Sequence, residues 1–181
     1  LGSMTLDMFA VLFGGVTALL PVFAKDILHV GPEGLGWLTA ATYLGNFIAI
    51  AALTWKPMKN KQGQKLFYVV GGFGLCILVF ALSQNFWLSF AALFVSGLFD
   101  GVSVIIRGTV LQLFVPDEMR GRVSSVSSIF INSSNELGQF ESGTAASLLG
   151  TVPSVIFGGC MTLLVVTITW FKAPSLRKLE H

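Results

Sequence analysis

DGVSVIIRGTVLQLFVPDEMRGR, residues 100–122, is the stretch on which the fold turns. It sets Asp100 and Arg107 seven residues apart inside an otherwise apolar run, then ends the run at Pro116 and a basic turn carrying Arg120 and Arg122. Seven residues is nearly two turns of α-helix, so the two charges project to almost the same side, about 10 Å apart along the axis. A charge at bilayer depth costs about 3 kcal/mol or more on insertion scales, and such residues face a bundle interior or a water-filled cavity. This helix is therefore the expected place for a polar path.

Composition points the same way. Of 181 residues, 54% are hydrophobic and only 11% charged, where soluble domains carry about 25% charged residues. The expected class is an all-α polytopic membrane protein, with the lipid bilayer as its first partner. The formal net charge of +2 is too small to suggest nucleic acid. Cys76 and Cys160 lie in apolar runs and read as inert buried thiols. Leu1-Gly2-Ser3 reads as a cloning scar and Leu179-Glu180-His181 as the start of a polyhistidine tag, leaving a membrane domain over 4–175 and a tail over 176–181. No signal peptide is expected, because the first apolar run is long and opens with Asp7 in place of a basic region.

With about 20 apolar residues per span and with charges, Pro and Gly as punctuation, six spans are expected: 4–24, 35–55, 66–83, 87–115, 123–149 and 153–171. The connections carry a consistent bias. Lys56, Lys59, Lys61 and Lys65 join spans two and three, Arg120 and Arg122 join four and five, and Lys172, Arg177 and Lys178 follow six, which places nine of the eleven basic residues on one side. Short-loop Lys and Arg mark the cytoplasmic face, so both termini are expected there. Gly97 and Gly101 form a small-xxx-small pair in span four, and Gly71, Gly72, Gly74, Gly158 and Gly159 sit where helices would approach closely. Tight packing and bending during a transport cycle need the same glycines.

No zinc helix, phosphate-binding glycine loop or nucleophile elbow is present, so neither an enzyme nor a metal or cofactor site is expected. His29, beside Asp26 and Glu33, reads as a solvated loop residue. What remains is a set of intramembrane polar groups: Asp7, Asp100, Arg107, Asn135, Glu136 and Glu141. Counting from Pro116 puts Arg107 about 13 Å deep, Asp100 about 24 Å along its helix and Glu136 about 20 Å along the next. Asp100 and Glu136 are thus expected at comparable depth, each either a proton carrier or a structural carboxyl paired with Arg107 or a hydroxyl. Arg107 cannot discharge and needs a counter-charge or an anionic ligand. Glu136 and Glu141, about 140° apart around a helix, cannot both face one site. Asn135 reads as packing glue or as a substrate contact.

Three segments carry a family resemblance. Asn60-Lys61-Gln62-Gly63-Gln64-Lys65 resembles the D-R/K-x-G-R-R/K loop of the major facilitator superfamily, with Asn60 in place of Asp and Gln64 in place of Arg. R-G-T-x-x-Q-x-x-V-P-x-E-x-R-G-R-V at Arg107–Val123 and S-N-E-L-G-x-F-x-S-G at Ser134–Gly143 resemble the second half of the enterobactin-exporter-like, or transmembrane secretion effector, branch, which includes macrolide-efflux-type proteins. The opening LDMFAVLFGG and ALLPVFA are similar to helix seven there.

The resemblance implies that the six spans are helices seven to twelve, one half of the twelve-helix fold. It implies a proton-coupled antiporter of a bacterial inner membrane, exporting a small molecule of the drug or siderophore class by alternating access. Asp7, Asp100 and Arg107 would line the cavity, while Asn46 and Glu136 would lie near the interface with the amino-terminal half. Asn60, Lys61, Gly63, Lys65, Arg120 and Arg122 would form a cytoplasmic gate or act as plain topology determinants. The alternatives are a transport-inactive six-helix unit that needs a partner half, and a homodimer of half-transporters.

Overall fold

A computed structural model of the chain describes residues 16–55 and 62–172. Every element among the described residues is helical. The first is short and loosens along its length: a 3-10 turn (Val16–Leu19), an α turn that we label α1 (Leu20–Val22), and a π turn (Phe23–Ile27) closed by the Leu28 amide donating to the Phe23 carbonyl at 3.0 Å. Most of the first expected span, Asp7 included, lies outside the described residues.

Five long helices follow: α2 (Pro32–Trp55), α3 (Gln62–Leu82), α4 (Phe86–Phe114), α5 (Arg120–Leu149) and α6 (Thr151–Lys172). Their ends have local causes. His29 takes a left-handed φ of 51° and turns the chain out of the π segment. Pro32 then opens α2 at the first helical position, where its missing N–H is no loss, so α2 begins ahead of the expected Leu35. Between α3 and α4, the Asn85 side-chain carbonyl accepts the Trp87 amide at 2.9 Å and caps α4. Between α5 and α6, Gly150 adopts φ 93°, its amide returns to the Ala146 carbonyl at 3.0 Å, and Pro153 sits in the first turn of α6.

Four helices are both long and apolar enough to cross a bilayer: Pro32–Trp55, Lys65–Leu82, Phe86–Thr109 and Thr151–Trp170. The fifth, α5, has the length at 30 residues but is too rich in Ser, Asn, Gln and Glu to meet the same hydropathy. Trp37 and Trp87 stand out at one end, 61% and 74% exposed, and Trp55 and Tyr68 towards the other, 96% and 70% exposed. Such aromatic rings settle at the two headgroup levels of a membrane protein.

Inside the bundle, α2 presents Leu38, Ala41, Gly45 and Ala49, a buried stripe of small residues at helical spacing, to α4. The two backbones nearly touch. A Cβ on Gly45 would overlap the Phe94 carbonyl, one on Gly97 would overlap the Thr42 carbonyl, and one on Gly101 would sit 2.7 Å from the Asn46 carbonyl and 2.8 Å from the Ala49 Cβ. The small-xxx-small pair of α4 therefore serves close helix packing here. α3 packs on α4 and on α6, with Gly72 beneath the Phe99 ring and Gly159 beneath Leu78. One apolar cluster, including Phe23, Leu38, Phe80, Leu93 and Val155, fills the end near His29; a second, Leu66, Phe67, Val70 and Ile106, lies towards the other end.

Candidate functional site

Along α4 five polar residues fall on one line. Ser89, Ser96, Asp100, Ser103 and Arg107 are separated by seven, four, three and four residues, the spacing that keeps side chains on a single helix face. Ser89, Ser96 and Ser103 are 0%, 1% and 3% exposed, while Asp100 and Arg107 are half-buried. The line is a polar seam on the protein side of α4. Val95 and Val104, which flank the seam on its two sides, about 110° and about 70° around the helix from it, are exposed. Ser96 returns its hydroxyl to the Leu93 carbonyl at 2.7 Å, as a helical serine in an apolar setting does. The Ser89 hydroxyl, and the Thr42 hydroxyl on the facing stretch of α2, are buried without a hydrogen-bond partner among the described residues.

Asp100 sits where α2 and α4 are closest, between Gly97 and Gly101. Its Oδ2 accepts a hydrogen bond from the Asn46 side-chain amide at 2.6 Å, across 54 residues of chain. The resemblance implies a place for Asn46 near an interface with another half; within this bundle the half-buried side chain bonds the carboxylate. The reason is steric. With glycine at 45, 97 and 101, α2 comes near enough for a short amide side chain to span the gap.

The other expected residues fall in different places. Glu136 and Asn135 are exposed on α5, while Glu141 is half-buried one and a half turns on. Glu136 makes no contact with Asp100 among the described residues, because α5 packs mainly on α6 and the 3-10 turn at Val16–Leu19, not against the α2–α4 crossing. Arg120 is occupied locally: its Nη1 pairs with Asp117 Oδ1 at 2.6 Å and its Nε donates to the Val115 carbonyl at 3.3 Å, satisfying the end of α4. Arg122 is exposed, Lys65 is half-buried, and Gly63 lies in the first turn of α3. Asn60 and Lys61, like Asp7, lie outside the described residues. Among the described residues no His, Cys, Asp and Glu gather into a metal-binding group.

Chemically, the seam holds one group that can exchange a proton, Asp100, and one that cannot, Arg107. Sequence reasoning missed Ser89, Ser96 and Ser103, which repeat every seven residues three or four positions off Asp100 and Arg107, and so share their face and were detectable from it. It also missed the role of Asn46, for which hydropathy leaves no sign.

No curated protein matches the chain. A family model does, over residues 5–180, and it describes membrane transporters with this all-helical, multi-pass character. The chain belongs to the Major Facilitator Superfamily.

Proposed function

We propose that the chain is one six-helix half, helices seven to twelve, of a proton-coupled exporter of small molecules in the drug or siderophore class. Its setting is a bacterial inner membrane with both termini cytoplasmic. The observation that supports this reading best is the placement of Asp100: a carboxylate at mid-helix in an apolar span, turned to the protein side and hydrogen-bonded there. A carboxylate so placed is held at a location that is expensive for charge, and intramembrane acids of this kind mark proton and substrate pathways. Two bundles rocking about a midplane site then expose it to each side in turn, and its protonation biases which side is open. Arg107, one polar step along the same seam, supplies a fixed positive charge for an anionic portion of the cargo or for the carboxylate of Asp7.

A second reading has its own support. Ser128, Asn132, Asn135, Glu136 and Gln139 are exposed on α5, a face too polar for acyl chains. It suits protein cover, either the amino-terminal half or a second copy, without which the chain transports nothing.

The test is ethidium efflux from proteoliposomes under an imposed pH gradient. Gradient-dependent efflux that Asp100→Asn abolishes and Asp100→Glu partly retains supports the exporter reading. Efflux unchanged by Asp100→Asn removes the proton role from this group, and efflux that appears only when helices one to six are supplied assigns the chain to the second reading.

A further inference from the structure

We infer that Asn46 is the positioning residue for Asp100, an amide that bonds the carboxyl in both of its protonation states by turning over and so couples proton uptake to the α2–α4 crossing. This rests on the reading of Asp100 as the proton carrier, but it concerns a different residue on a different helix.

The geometry is specific. The amide nitrogen of Asn46 donates to Asp100 Oδ2 at 2.6 Å, the short end of the range for a bond to a charged acceptor. A carboxylate only accepts, so the nitrogen faces it. When hydronium delivers a proton to Oδ2 and leaves as water, that oxygen carries an O–H in need of an acceptor. Rotation of the amide about its terminal torsion, which is soft, brings the Asn46 carbonyl round to accept the new O–H. The O–H bond broken in hydronium is replaced by the one formed on Oδ2, the N–H···O hydrogen bond is exchanged for an O–H···O one, and the carboxyl loses its negative charge. Leucine offers neither a donor nor an acceptor, and aspartate offers a second negative charge.

The crossing makes this turn consequential. At Gly45, Gly97 and Gly101 the backbones are packed so closely that a methyl group does not fit, so the Asn46–Asp100 pair has no slack, and exchanging one hydrogen-bond arrangement for another acts directly on the spacing of the two helices. Among the described residues of the elements packed against α4, the other ionisable groups on α2 are Glu33, in the first turn, and the exposed Tyr43; on α3 they are Lys65 near its start, the exposed Tyr68 and the half-buried Cys76; on α5 they are Arg120 and Arg122 in the first turn, the exposed Glu136 and the half-buried Glu141; on α4 itself the other charge is Arg107, about two turns away.

Buried polar pairs also serve as plain packing glue between membrane helices, so the test must read the carboxyl and not stability alone. The purified chain in lipid is titrated by infrared spectroscopy, and the carboxylic C=O band that disappears in Asp100→Asn is assigned to Asp100. The C=O frequency of this band is expected to rise in Asn46→Leu, because the acid loses its acceptor, with Asn46→Gln restoring part of the shift. An unchanged frequency in a folded Asn46→Leu protein would overturn the inference. Because no transport is measured, the outcome is separable from that of the efflux experiment; a band whose frequency depends on Asn46 in a chain that exports nothing overturns the exporter reading and leaves Asn46 in its place.

Discussion

Asp100 announces itself in the sequence because a formal charge interrupts an apolar run, and Arg107 does so for the same reason. Asn46 does not. A neutral amide beside a glycine looks like any other small polar residue of a membrane helix, and only the approach of α2 to α4 gives it a partner. The same scale describes Arg120, which reads from the sequence as a gate residue or a topology determinant and whose partners include Asp117 and the Val115 carbonyl of its own turn. That pair is well exposed, and exposed pairs contribute about 0 to 1 kcal/mol. Arg120→Ala is therefore expected to leave the unfolding midpoint in detergent within about 1 kcal/mol of the parent, and a larger fall would mean that Arg120 has structural partners beyond this turn. Asn85, by contrast, holds the start of α4, and Asn85→Ala is expected to destabilise by about 1 kcal/mol, with Asn85→Asp close to neutral. Equal losses in both variants would argue against capping as its role.

Among the elements, the α2–α4 crossing has the least freedom. Gly97→Ala gains roughly 1 kcal/mol of helix propensity, but its methyl lands on the Thr42 carbonyl, and overpacking of this kind costs about 1–3 kcal/mol. The steric term is the larger, so the variant is expected to unfold more readily. Gly71→Ala is the control, since its methyl would lie 4.0 Å from the nearest atom, Val166 Cγ1, and it is expected to be neutral or slightly stabilising. A thermal melt in which the two variants behave alike would contradict the packing described here. The five long helices among the described residues were legible in the sequence through length, apolar character and punctuation by Pro, Gly and charge. Their pairing was not, because a glycine signals that something comes close without saying which helix it is. α5 shows the limit from the other direction: its polar residues were legible, yet a stripe of Asn, Glu and Gln on one helix carries no record of what covers it.

At the scale of the whole molecule, the described residues expose apolar side chains on several helices, from Tyr43 and Phe47 on α2 to Leu164 and Ile168 on α6, while the polar seam of α4 faces the protein. The exposed polar face of α5 is the exception to that arrangement. The second reading of the chain's function requires this face to be covered by another six-helix unit, so in mild detergent the native mass is expected to correspond to more than one such unit; a stable single chain with α5 intact would weaken that reading. The central claim, that α4 turns its ionisable seam to a wet interior and its apolar side to lipid, can be measured directly. In a background with Cys76 and Cys160 replaced by Ala, single cysteines at Asp100 and Arg107, the half-buried positions of the seam, and at Val95 and Val104 on its two exposed flanks are treated with N-ethylmaleimide in native membranes. Thiols react as thiolates and need water to ionise, so the seam positions are expected to react and the flanking positions to stay silent. Reaction at 95 and 104 with none at 100 and 107 would contradict the account.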